Sequence, residues 1–102
     1  MTYSIYWSKQ AIESLDSIKA YISQVSSSKA QKVVSDLVIY ARQLEKFPFL
    51  GTTDERFGDN RLRKLIQGEY FLVYRVTDSQ IEIIDVFSGR QDFQARLIQK
   101  HC

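Results

Sequence analysis

The sequence predicts an α+β fold: an N-terminal strand, an antiparallel helical hairpin packed on an antiparallel β-sheet, and a short C-terminal helix. Three observations predict it. Apolar residues recur at helical spacing over residues 11–44, they alternate or run together at strand spacing over residues 62–87, and turn chemistry punctuates both stretches. Neither helical stripe can stay in water, and a sheet with an apolar face offers the cover, so the hairpin belongs across one side of the sheet.

Tyr3, Ile5 and Trp7 alternate with Ser4 and Tyr6, a short strand that stops at Ser8, a residue suited to cap the helix that follows. Ala11, Leu15, Ile18, Ile22 and Val25 then fall at intervals of four, three, four and three, making one stripe with Glu13, Asp16, Lys19 and Gln24 turned to water. Ser26-Ser27-Ser28 interrupts the pattern. Ala30, Val33, Val34, Leu37, Ala41 and Leu44 resume it until Pro48, which lacks an N–H to continue the ladder. Residues 49–60, rich in Asp, Thr and Gly, form an irregular link with the composition of a mobile segment.

Apolar and polar residues alternate from Leu62 through Lys64 to Ile66, run almost unbroken from Tyr70 to Val76, and recur at Ile81, Ile83, Ile84, Val86 and Phe87. Gln67-Gly68-Glu69 and Thr77-Asp78-Ser79 divide these runs. Gly supplies positive φ without steric cost, while Asp and Ser bond back to the turn backbone, so both breaks read as hairpin loops and the strands pair in sequence order. Beyond Gly89, Phe93, Leu97 and Ile98 lie at helical spacing and predict a terminal helix within residues 90–102.

At 102 residues the chain holds one domain, 1–102, with a single core. A composition of 44% hydrophobic and 25% charged residues with one Pro contradicts disorder. A net charge of +2 is too small to hold a polyanion by itself. Arg56, Arg61, Arg63 and Lys64 nonetheless gather within nine positions beside one acid, Asp59. The single cysteine, Cys102, excludes an internal disulfide, and no clustered metal ligands or glycine-rich phosphate loop are visible, so no cofactor is expected. Nothing resembles a signal peptide or a bilayer-spanning run, which favours a cytoplasmic protein without a membrane partner.

Three sets of residues carry a family likeness. The opening WSKQAIESLDSIKAYI supplies Ala11, Leu15, Ile18, Tyr21 and Ile22, the helix exit supplies Leu44, Phe47, Pro48 and Gly51, and the sheet supplies Arg63, Leu65, Tyr70, Val73, Tyr74, Arg75 and Val76. In this order and spacing the chain resembles the RelE/ParE superfamily of toxins from bacterial type II toxin-antitoxin modules, over nearly its whole length. Tyr21 and Tyr74 each combine a large ring with one hydroxyl, and both are expected where helix meets sheet.

The resemblance implies one of two activities. RelE-like and YoeB-like members cut messenger RNA on the ribosome, and ParE-like members block DNA gyrase; both serve in plasmid stabilisation or related modules. Attack by a 2′-hydroxyl needs a base, a cation for the charged phosphorane and an acid for the leaving oxygen. The nuclease-like pattern carries its cation where this chain has Phe71, which can neither donate a proton nor neutralise phosphate. Near the place of the acid-base group stand Arg90, Gln91, Asp92, Phe93 and Leu97, and an ordinary Asp is ionised at neutral pH. His101, the sole histidine, is chemically suited but close to the last residue.

The ParE-like alternative is therefore favoured: a non-enzymatic toxin that binds a protein target, by resemblance DNA gyrase. Its candidate contacts are Arg61, Arg63, Lys64 and Arg75 on the charged rim of the sheet and Arg90, Asp92, Phe93, Arg96 and Leu97 beyond it. A nuclease acting on the ribosome and mRNA would use Arg61, Arg63, Arg75 and Arg90 as its cations, and an inert member would only bind antitoxin. The resemblance also implies a cognate antitoxin whose segment folds onto the toxin, with Leu62 and Leu65 as expected receivers.

Overall fold

The computed structural model describes residues 2–89. Strand β1 (Ser4–Trp7) leads to helix α1 (Lys9–Ser23), helix α2 (Ser27–Ala41) and a 3-10 turn at Arg42–Glu45. A second 3-10 turn, Glu55–Phe57, precedes β2 (Leu62–Gln67), β3 (Tyr70–Val76) and β4 (Gln80–Ser88). The expected terminal helix lies outside the described residues.

The helix starts follow the capping chemistry. Ser8 Oγ accepts from the Ala11 N–H at 3.0 Å and donates to the Ile84 carbonyl at 2.8 Å, so it caps α1 and ties its start to β4. Ser26 Oγ accepts from the Lys29 N–H at 3.2 Å and caps α2. The α1 stripe ends sooner than its spacing implies: the helix stops at Ser23, and Val25 is 89% exposed in the turn. Helix α2 likewise gives way to the 3-10 turn at Arg42, before Pro48, while Leu44 stays fully buried.

The strands form one sheet in the order β1-β4-β3-β2. The β2–β3–β4 meander is antiparallel as its turns predict, with Gly68 at φ 61° in the first hairpin and Thr77 N–H bonded to the Gln80 carbonyl at 2.9 Å in the second. Strand β1 adds to β4 in parallel, so the complete sheet is mixed. Parallel strands need a long connection, and the helical hairpin and two strands of the meander provide it.

Helices cover one face of the sheet. Ala11, Leu15, Leu37, Ala41 and Leu44 pack with Leu65, Leu72, Tyr74, Ile81, Ile83 and Val86. On the opposite face Leu62, Phe71, Val73, Ile84 and Phe87 form a second buried cluster, joined by the partly buried Phe57. The helix-facing residues of β4 change from the odd positions Ile81 and Ile83 to the even Val86, and the opposite face from Ile84 to Phe87, because the β3–β4 register shifts between Val73↔Asp85 and Tyr74↔Ile83. That bulge resets the two-residue alternation, and because both faces of β4 are buried its apolar run is nearly continuous.

Candidate target-binding surface

Strand alternation divides the charged rim between the two faces of the sheet. Arg63 shares its face with Leu65 and the helices, whereas Lys64 shares the other with Leu62. The edge between them is occupied. Thr52 exchanges backbone hydrogen bonds with Lys64, donating at 3.0 Å and accepting at 2.8 Å, so the link after α2 wraps around β2.

On the helix face, Arg63 and its register partner Tyr74 hold the same loop. The Tyr74 hydroxyl accepts from the Gly51 N–H at 2.8 Å and donates to the Pro48 carbonyl at 2.9 Å. An Arg63 guanidinium N–H donates to the Gly51 carbonyl at 2.7 Å, and the group sits 5.0 Å over the Phe49 ring. Gly51 is obligatory there: a Cβ would lie 2.5 Å from the Lys64 carbonyl oxygen and 2.7 Å from the Tyr74 ring. Burial pushes the Tyr74 phenol above its ordinary pKa, against a smaller opposing effect of the Gly51 N–H.

On the other face, Asp54 receives Arg56 Nη2 at 2.7 Å and Lys64 Nζ at 2.9 Å. The Arg56 hydrogen bonds, followed by that of Lys64, hold the Asp54 carboxyl far below the usual carboxylate range. Asp59 pairs with Arg61 at 3.0 Å, which lowers the Asp59 pKa and raises that of Arg61. Arg75 reaches across to Glu82 on β4, with its Nε buried and unbonded among the described residues. The link predicted to be mobile is thus fastened to both faces of β2.

These contacts change the standing of the sequence candidates. Arg61, Lys64 and Arg75 each carry a carboxylate partner, while the Arg63 guanidinium bonds to carbonyl oxygens. Leu62 and Leu65 are both buried, in opposite clusters, and the exposed apolar residue of β2 is Ile66. Arg90, Asp92, Phe93, Arg96 and Leu97 lie outside the described residues, as does His101. Tyr74 is in the core as expected, but Tyr21 is 73% exposed. It stands off the α1 stripe, on the wall of a groove of about 740 Å³ that also takes in Glu13, Ile18, Glu69, Tyr70 and Val86.

Two further features escaped the sequence patterns. Asp85 is buried beneath α1, accepting from Ser14 Oγ at 2.5 Å and from the Val86 N–H at 2.7 Å. Its signal was an acid inside an apolar strand, legible only once the bulge turns it toward the helix. Phe47, Phe49 and Leu50 are the other, exposed on the clamped loop. Among the described residues no cluster of His, Cys, Asp or Glu could hold a metal ion, and no helix is long and apolar enough to cross a membrane.

A family model for the ParE toxin of the type II toxin-antitoxin system parDE matches residues 5–93. The chain belongs to the ParE toxin family. Solved structures share the fold of this ParE-family toxin. A chain of the chromosomal ParDE toxin-antitoxin system of Pseudomonas aeruginosa aligns with a TM-score of 0.72 at 24% identity, over 85% of this chain and 96% of that one. A chain of a RelBE toxin-antitoxin complex from Mycobacterium tuberculosis aligns at 0.66 and 18% identity, over 86% and 99%. An arginine-substituted variant of the Escherichia coli toxin RelE in its free state aligns at 0.61 and 16% identity over the whole of both chains. Comparison with curated proteins by sequence finds no match.

Within this toxin, Phe71 lies on the sheet face away from the helices, buried and stacked on Phe87 with ring centroids 5.4 Å apart. Around it are Leu62, Val73 and Ile84. The position that in the nuclease-like pattern carries a guanidinium is here part of an apolar cluster.

Proposed function

We propose that this ParE-family toxin arrests growth by binding DNA gyrase, without cutting RNA, and that a cognate antitoxin neutralises it in the cytoplasm. The observation that carries this reading is the Phe71 cluster. A cation that stabilises a phosphorane must be exposed and free to meet the phosphate, and the stacked phenylalanines offer neither charge nor access. Arg61 and Arg75, two of the cations a nuclease would enlist instead, are each held by a carboxylate. Displacing an acid from a cation to seat a phosphate costs part of the binding free energy.

An antitoxin partner is supported by the ParDE and RelBE systems in which similar chains occur. Because Leu62 and Leu65 are buried, the antitoxin would meet exposed apolar positions such as Ile66 on the edge strand. Induction in a bacterial host separates the readings. Gyrase poisoning predicts accumulating DNA double-strand breaks with messenger RNA intact. New messenger 5′ ends without DNA damage would replace this reading with the ribosome-dependent endonuclease.

A further inference from the structure

The clamped loop after α2 presents apolar side chains to water at some energetic cost. Phe47 and Phe49 are 62% and 60% exposed, and Leu50 is 44% exposed, within one turn closed by the Leu50 N–H on the Phe47 carbonyl at 3.1 Å. A loose loop could fold such side chains against the body of the protein. This one cannot, because Tyr74, Arg63 and the crowded Gly51 fix its backbone. Exposed apolar groups on a pre-ordered frame are the form an interface takes before its partner arrives, since little ordering entropy remains to be lost.

Charge specifies the partner. Arg56, Arg61, Lys64 and Arg75 are each compensated by a carboxylate of the chain. Arg63 instead spends its hydrogen bonds on the carbonyls of Gly51 and Phe49, so among the described residues its positive charge has no carboxylate partner and sits against the Phe49 ring. The complementary surface combines apolar side chains with a carboxylate. Aromatic residues and Arg are also the types that dominate binding energy in protein interfaces.

We infer that Phe47, Phe49 and Leu50, with Arg63 behind them, are the contact platform for an apolar, carboxylate-bearing surface of the toxin's protein target. The inference rests on the reading of that target as DNA gyrase. It adds an interface that the sequence candidates did not contain, apart from Arg63.

The test is the affinity of the full-length toxin for purified DNA gyrase, with each variant checked by thermal melting. The F47S/F49S double variant should melt like the parent and bind at least about thirtyfold more weakly. Val25→Ser removes an exposed apolar residue at the tip of the helical hairpin and should leave affinity unchanged. Binding by the parent should also weaken as salt rises. If the parent binds gyrase and F47S/F49S binds equally well, the platform is wrong while the gyrase reading stands. If the parent itself does not bind gyrase, both fail together.

Discussion

Tyr74 links the core to the loop proposed as the contact surface through a single oxygen. Its ring is buried among the helices, and its hydroxyl satisfies one donor and one acceptor of the loop at Pro48 and Gly51. Tyr74→Phe leaves both backbone groups without their partner, which costs about 1–3 kcal/mol. Each kcal/mol lowers Tm by about 4–8 °C in a domain of this size, so differential scanning calorimetry should show a clear drop. Asp54 gives the loop a pH dependence of known sign. Its folded pKa is depressed below the unfolded value of about 3.9, so its contribution is present above that pH and disappears as pH falls through the folded pKa. Melting curves on acidification should therefore fall less steeply for Asp54→Asn than for the parent. The raised pKa of Tyr74 acts at the other end: its contribution holds below about pH 10 and is lost as the solution becomes more alkaline.

At the scale of elements, the helices and the meander were legible because their apolar periodicity is set by local geometry. Ala11, Leu15, Ala30, Leu37 and Ala41 are buried where the 3.6-residue period puts them. Val25 deviates because periodicity cannot say where a helix ends, and Tyr21 because its ring and hydroxyl suggested a buried place although it lies off the helical stripe. The parallel seat of β1 was invisible for a similar reason, since alternation carries no information about a partner 76 residues away. Arg63 and Lys64 were legible as a basic pair, but the pleat sends neighbours to opposite faces, where only the folded link supplies their partners. The α2 stripe predicts a contrast within one helix. Leu37→Ala should cost about 2–5 kcal/mol in urea denaturation, whereas Ile39→Ala, at an exposed position, should change stability by less than about 0.5 kcal/mol.

Across the whole molecule, the ParE family and the shared toxin fold establish what kind of protein this is, and neither names its target. The distinction rests on one face of the sheet. Leu62, Phe71, Val73, Ile84 and Phe87 fill it with apolar contacts, and nearby cations are matched by Asp54, Asp59 and Glu82. On the proposed reading this face gives a phosphate no cation at Phe71, and the protein target is met instead by the exposed loop at Phe47, Phe49 and Leu50. The most direct measurement is ATP-dependent supercoiling of relaxed plasmid by purified DNA gyrase, titrated with the purified toxin. The account predicts that supercoiling falls as toxin approaches gyrase in concentration. Undiminished supercoiling at a large excess of folded toxin would contradict it.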